Sequence, residues 1–195
     1  MRVVAGRFKG RSLKTPSSWA VRPTSDRLRE TLFNILAHAY DDPVTDARVL
    51  DLFAGTGALG FEALSRGAGH VQFVDDSAEG RGLLRANVES LGVAGLTKIF
   101  RRDATRLGPI HPNKPFSLIF CDPPYGKGLG EQALASGLAG GWFTPDALIL
   151  LEEQADADIN LPLGLVLLEE RHYGDTKLLF IGLSEGQSAP STATE

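Results

Sequence analysis

The chain has 195 residues, 43% of them hydrophobic and 23% charged, with a net charge of −4 and a single cysteine. Such a length and apolar content suffice for one sizeable core, the lone Cys121 excludes an intrachain disulfide, and no apolar run approaches the ~20 residues that span a bilayer. His38, His70, His111 and His172 are scattered, which argues against a metal site, and the start lacks an apolar signal core, so a cytoplasmic protein is expected.

Alternation over residues 2–13 predicts a β-hairpin turned at Phe8-Lys9-Gly10, followed by a linker over residues 16–23. Residues 1–30 hold eight cations against Asp26 and Glu30, a local +6 that leaves −10 for the remainder. A basic block on an otherwise acidic chain is an electrostatic footprint for phosphate, although a solvated charged surface has the same composition. Arg7, Lys9, Arg11, Arg22 and Arg27 are the candidate phosphate contacts on a nucleic acid. A helix capped by Thr24 or Ser25 should then place Leu28, Leu32, Ile35, Leu36 and Ala39 on one face. Beyond it, strands are expected at 48–53, 70–74, 97–101, 116–121 and 146–152, alternating with helices at 58–66, 77–91 and 129–139. That alternation predicts a parallel sheet with helices on both faces. Residues 163–171 and 177–183 read as a terminal hairpin, and the polar segment 184–195 as a disordered tail.

Two motifs end strands of this sheet. After the first strand, Gly55, Gly57 and Gly60 match G-x-G-x-x-G: the first permits the turn, the second lets a ligand approach the backbone, and the third lets helix pack on strand. Asp75 or Asp76, after the second strand, stands where a ribose-binding acid belongs. Glycines and acid together admit either NAD or S-adenosylmethionine. Asp51, just before the turn, favours the second, because a carboxylate there attracts a cationic amino-acid moiety and repels phosphates; it can also cap the amides of the glycine turn. The Asp103-Ala104 segment is a candidate adenine contact, with a turn cap as the competing reading for Asp103.

The second motif, Asp122-Pro123-Pro124-Tyr125, describes a site for a planar amine. An exocyclic amino group is a poor nucleophile with two N–H donors, and burial leaves both in need of acceptors. Asp122 can accept one and a carbonyl of the Pro-Pro step the other, since proline fixes φ and offers no competing N–H. Tyr125 supplies a face for stacking a base. A bland reading is a strand ending in a Pro-Pro turn with one core tyrosine. Hydride transfer has no use for an amine clamp, so the two motifs together point to methyl transfer.

These residues resemble the RsmD family of bacterial 16S ribosomal RNA guanine-N2 methyltransferases. The resemblance also covers Arg2 to Leu13, the run Arg22-Pro23-Thr24-Ser25-Asp26-Arg27-Leu28-Arg29-Glu30, and Tyr173-Gly174-Asp175-Thr176. One departure is Asp75, where the family usually has Glu, with Ser77 where an acid or amide is common two residues later. The family implies a Rossmann-like α/β, class I S-adenosylmethionine-dependent fold: a mostly parallel seven-stranded sheet with helices on both faces, a last strand antiparallel at the sheet's side, and an N-terminal β-hairpin extension. The expected organisation is a basic hairpin and linker over 1–23, a methyltransferase domain over 24–183 and the tail. The implied substrate is guanine 966 of 16S ribosomal RNA, in a partly assembled small subunit; no obligate protein partner is evident, and a monomer is expected. An adenine-N6 methyltransferase shares the clamp but needs a target-recognition region for which the spacings leave no room. A glutamine-modifying enzyme would sooner carry Asn at position 122. A noncatalytic RNA-binding module would have no use for either motif.

Overall fold

A computed structural model describes residues 1–16 and 25–184. Arg22, Thr24, most of the expected linker and the tail from residue 185 lie outside the described residues. Helix α1, Asp26–Ala39, begins as the sequence asks: Ser25 is the N-cap, its hydroxyl accepting the Leu28 N–H. Its inner face carries Leu32, Phe33, Ile35 and Leu36, while Ala39 is exposed. The face also contains Arg29, which is fully buried. Its guanidinium donates to the Arg2 carbonyl at 2.5 Å and to Asp26 Oδ1 at 2.8 Å, and lies 3.5 Å from Glu62, so its charge is compensated.

The sheet comprises β1 (Arg48–Leu52), β2 (His70–Val74), β3 (Thr97–Phe100), β4 (Phe116–Cys121), β5 (Phe143–Gln154), β6 (Leu165–Tyr173) and β7 (Thr176–Leu183), in the order β3-β2-β1-β4-β5-β7-β6. The first five strands pair in parallel, and β7 is antiparallel to both neighbours, so the sheet is mixed. Helices α2 (Ala58–Ser65), α3 (Ala78–Leu91) and α4 (Leu129–Ala139) complete the fold. Alternate strand residues feed two cores. Val49, Phe73, Leu118 and Phe120 pack with α1, α2 and α3; Leu50, Val74, Ile119 and Cys121 pack with Ala133, Leu134 and Trp142. Cys121 is a buried core residue whose thiol burial holds well above its ordinary pKa, as suits a packing role.

Two expectations are revised. The last strand does not lie at the side of the sheet: β7 is inserted between β5 and β6, and β6 is the edge. Burial explains the order, because residues 176–182 of β7 are all buried, whereas β6 leaves Val166, Leu167 and Leu168 exposed. The N-terminal arm doubles back, but not as a regular β-hairpin. Only Arg2 and Ser12 form a bridge, and the reversal contains a 3₁₀ turn, Gly6–Phe8. Three of its amides turn to α2: Val4 and Ala5 donate to the Glu62 carboxylate at 2.8 and 2.9 Å, and Phe8 donates to Ser65 Oγ at 2.9 Å. Gly6, at φ +77°, lies so close to the Ser65 carbonyl that any Cβ would overlap it. The two limbs of the arm keep three cross-strand backbone bonds, from the Val3, Gly10 and Leu13 amides to the Arg11, Val3 and Met1 carbonyls, and the arm is bonded to α2 besides.

Candidate active site

Strands β1 and β4 are paired with Leu52 opposite Cys121, so Phe53 and Asp122 leave the sheet side by side at its carboxyl edge, where open α/β sheets bind ligands. A cavity of about 560 Å³ opens there. It brings together Asp51, Gly55, Asp75, Asp76, Asp103, Ala104 and residues 122–125, all singled out in the sequence. Met1, Thr15 and Pro16 of the arm form another part of its wall.

The glycine turn is bent by left-handed residues at Phe53 (φ +56°), Gly55 (+55°) and Gly57 (+78°). For phenylalanine that conformation costs about 1–2 kcal/mol, and such strain gathers at functional sites. Nothing in the sequence pattern marks Phe53, since its neighbours read as ordinary strand. The glycines divide the work differently from the expectation. A Cβ at Gly55 would enter open space beside the cavity, with the nearest atom 3.9 Å away. A Cβ at Gly57 would meet the Phe61 ring at 2.5 Å and Leu84 at 2.7 Å. Gly57 is buried, does not line the cavity, and serves as the left-handed N-cap of α2. It gives the core room, and Gly55 is the glycine beside the cavity. Gly60 behaves as read from the motif: any Cβ would overlap the Phe73 ring of β2.

Asp51 is 2% exposed and its Oδ2 accepts the Gly60 N–H at 3.0 Å, so it does cap the glycine turn while lining the cavity. Burial, offset in part by that hydrogen bond and reinforced by the nearby Asp75, pushes its pKa up to about 8. Asp75 also braces the turn: Oδ2 accepts the Gly55 N–H at 2.8 Å, and Oδ1 accepts the Ser77 amide and hydroxyl at 2.9 and 2.6 Å. Ser77 in turn caps α3 through the Gly80 N–H. Asp76, beside it, is exposed at the cavity rim. Asp103 caps a short 3₁₀ turn, Ala104–Arg106, by accepting the Thr105 amide and hydroxyl at 2.8 and 2.7 Å, and those bonds lower its pKa. Ala104 is buried in the cavity wall.

In the second motif Pro123 is buried, Asp122 and Tyr125 are half-buried, and Pro124 is exposed. The Tyr125 hydroxyl donates to Glu152 Oε1 at 2.6 Å and lies 3.3 Å from Thr176 Oγ1. Burial and the Glu152 bond raise the phenol pKa, so the hydroxyl keeps its proton. Glu152 and Thr176 were not visible as site residues, because their role depends on β5 and β7 being neighbours.

Of the basic candidates, Arg7, Lys9, Arg11 and Arg27 are exposed and none lines the cavity. Arg7 lies 4.4 Å over the Phe8 ring and Arg11 donates to the Ser90 carbonyl at 2.6 Å. The arm that carries the first three is nonetheless joined to the site. Buried Asn87 of α3 accepts the Lys14 N–H at 2.7 Å and donates to the Thr56 carbonyl, in the glycine turn, at 3.1 Å. Among the described residues no group of three His, Cys, Asp or Glu side chains is placed to hold a metal, and no helix is long and apolar enough to cross a membrane.

The family described as Conserved hypothetical protein 95 matches residues 1–182. Ribosomal RNA small subunit methyltransferase D of Haemophilus influenzae is 35% identical over 176 residues, covering 89% of each chain. The Escherichia coli K12 protein of the same name is 38% identical over 157 residues, covering 80% of this chain and 76% of its own. The solved structure of Escherichia coli yhhF superposes with a TM-score of 0.79 at 32% identity, covering 94% of this chain and 97% of that one. The chain belongs to the Conserved hypothetical protein 95 family, the RsmD family that its motifs resemble.

Proposed function

We propose that this protein transfers a methyl group from S-adenosylmethionine to the exocyclic N2 of a guanine in small-subunit ribosomal RNA. The observation that carries the reading is the shared cavity, in which the glycine turn and the Asp-Pro-Pro-Tyr loop face one space from adjacent strands. Family membership supplies the reaction class and the RNA, since the relatives are named ribosomal RNA small subunit methyltransferases. Guanine 966 of 16S RNA, the partly assembled subunit and a monomeric enzyme rest on the resemblance of the motifs.

The cavity's donor set fits S-adenosylmethionine. Asp51 is a buried acid suited to a cationic amino group, Asp75 and Asp76 are acceptors for ribose hydroxyls, and Ala104 is a small apolar wall for adenine. When bound, the cofactor supplies an electrophilic methyl carbon. A cation beside Asp51 would draw its pKa down from about 8 and favour the carboxylate at neutral pH. The chain's part in the reaction is orientation. Asp122 and a carbonyl of the Pro123-Pro124 step accept the two N–H bonds of the amine, which aims its nitrogen lone pair out of the loop. Tyr125, with its hydroxyl tied back to Glu152, offers its ring to the base. As the amine nitrogen acquires positive charge, the Asp122 carboxylate stabilises it. Proximity and orientation of this kind are worth roughly 7–11 kcal/mol in favourable cases.

The test is labelled methyl transfer to naked 16S RNA, small subunits, DNA and protein in parallel. Label is expected on guanine N2 of ribosomal RNA alone. Label on DNA adenine would support the adenine-N6 reading, and RNA binding without transfer to any acceptor would leave a binding module.

A further inference from the structure

The loop that carries Asp122 is gripped from β5 by two consecutive glutamates that the reaction itself does not use. Glu152 is 7% exposed and Glu153 2%, in a strand whose preceding residues, Ile149, Leu150 and Leu151, are buried apolar side chains. Successive side chains of a strand point to opposite faces, so the pair reaches the loop from both sides of the sheet. From one side Glu152 Oε1 receives the Tyr125 hydroxyl at 2.6 Å, with Thr176 of β7 alongside. From the other, Glu153 Oε1 receives the Gly126 N–H at 3.1 Å and the Gln154 N–H at 2.9 Å. Burying two acidic side chains is costly where apolar ones would pack, and both are bonded to the segment that follows Pro124. Neither lines the cavity.

Resting on the reading of residues 122–125 as the amine site, we infer that Glu152 and Glu153 are positioning residues for methyl transfer. Glu152 acts through the Tyr125 hydroxyl, setting the tilt of the ring. Glu153 acts through the Gly126 amide, fixing where the loop turns. Together they hold the proline carbonyls and Asp122 in register with the neighbouring glycine turn. The loop needs such external restraint because its prolines remove the N–H groups with which it could brace itself.

The experiment compares Glu152→Ala, Glu152→Gln, Tyr125→Phe and the double variant Glu152→Ala/Tyr125→Phe in the full chain. Misplacing a reacting group by about 1 Å can cost 10²-fold, so Glu152→Ala should lower kcat by about 10- to 100-fold while KM for RNA and Kd for S-adenosylmethionine stay within about twofold. Glu152→Gln keeps an acceptor oxygen and should recover most of the rate. Tyr125→Phe should lose about as much as Glu152→Ala, and the double variant little more, because both break one bond. Full additivity in the double variant, or a Tyr125→Phe kcat equal to the parent's, would overturn the inference; the second comparison stands even if Glu152→Ala does not fold. Hydrogen exchange supplies a readout free of activity. Glu153→Ala should speed exchange in the peptide containing Gly126 without changing the rest of the sheet, and an unchanged rate there would remove Glu153 from the clamp. A parent enzyme that methylates no RNA would defeat the amine-site reading while leaving the exchange result to judge the clamp by itself.

Discussion

The turn after β1 presents backbone N–H groups, whereas the turn after β4, one strand away, withholds them. Gly55 and Gly60 each give an amide to an acid, Asp75 and Asp51, and both acids line the cavity. Pro123 and Pro124 have no amide to give, and the acids that hold their loop, Glu152 and Glu153, stand behind it outside the cavity. In the glycine turn, then, the residues that give support also line the cavity. In the proline turn they are separated, so that substitutions there can dissociate chemistry from folding and from cofactor binding.

The sharpest test of that separation is Asp122→Ala. Loss of one preorganised electrostatic partner typically lowers kcat by about 10²–10³-fold, and loss of the amine's acceptor should reach at least that range here. Kd for S-adenosylmethionine, measured by calorimetry, should stay within about threefold, because the acids bonded to the glycine turn are Asp51 and Asp75, whereas Asp122 belongs to the turn after β4. If affinity fell in step with kcat, Asp122 would belong with Asp51 and Asp75, and the contrast between the turns would collapse.

Next in size are the two glycines. Gly57→Ala places a Cβ against Phe61 and Leu84 in a left-handed backbone, combining strain of about 1–2 kcal/mol with overpacking of about 1–3 kcal/mol. Gly55→Ala meets the strain but not the overlap. Thermal unfolding should therefore show a markedly larger loss of Tm for Gly57→Ala, and cofactor titration a larger loss of affinity per degree of Tm for Gly55→Ala. The reverse pattern would restore Gly57 as the ligand-facing position that the motif alone implies.

The difference between the glycines shows where sequence reading stops. Periodicity placed the four α-helices and the seven sheet strands within a few residues, because the core strands are largely apolar and α1 and α3 bury one face, α2 being buried throughout. The two motifs were legible because glycine and proline constrain the backbone locally, whatever lies around them. What each glycine's missing Cβ would touch depends on Phe61, Leu84 and Phe73 arriving from other elements. For the same reason Arg29 could not be recognised as a core residue without Glu62 opposite it. Glu152 closes the expected strand 146–152 and Glu153 falls just beyond it, and their bonds to the turn after β4 become visible only with β4 beside β5. The arm's alternation was real, but it could not reveal that the Val4, Ala5 and Phe8 amides would be taken by Glu62 and Ser65 of α2.

Asp51 offers a pH test of the dual role in the glycine turn. Its pKa rises from 3.8 to about 8 on folding, so the folded chain retains a proton that the unfolded chain releases. Stability from this group is fully present below about 4 and is lost progressively as pH rises toward 8. Asp51→Asn, which keeps an acceptor for Gly60 and cannot ionise, should remove that decline: denaturant midpoints of variant and parent should converge near pH 4 and separate in the variant's favour toward pH 8. The variant should bind S-adenosylmethionine about tenfold more weakly at pH 8, having lost a charged partner. Parallel pH profiles for the two proteins would mean that Asp51 is ionised in the free enzyme and that its bond to Gly60 outweighs burial.

The smallest effect is expected from the arm, where backbone and side chains face different tasks. Glu62, Ser65 and Asn87 hold the backbone of the arm against α2 and α3, while the side chains of Arg7, Lys9 and Arg11 are exposed. Replacing those three by neutral residues leaves every backbone bond of the arm intact, so Kd for S-adenosylmethionine should remain within about twofold. Binding of ribosomal RNA should weaken at low salt and depend less on salt, because each phosphate contact removed also removes released counterions, about 0.7–0.9 log units of slope per contact for simple strands and helices. Arg7 lies over Phe8 and Arg11 reaches Ser90, so these two cations are preoriented while Lys9 is free to follow the ligand. Single replacements should accordingly rank Arg7 and Arg11 above Lys9 in their effect on affinity, with similar changes in slope. Equal RNA affinity and equal slope in parent and triple variant would take the docking face away from the arm and move the search to Arg27 and to Arg102, which lines the cavity.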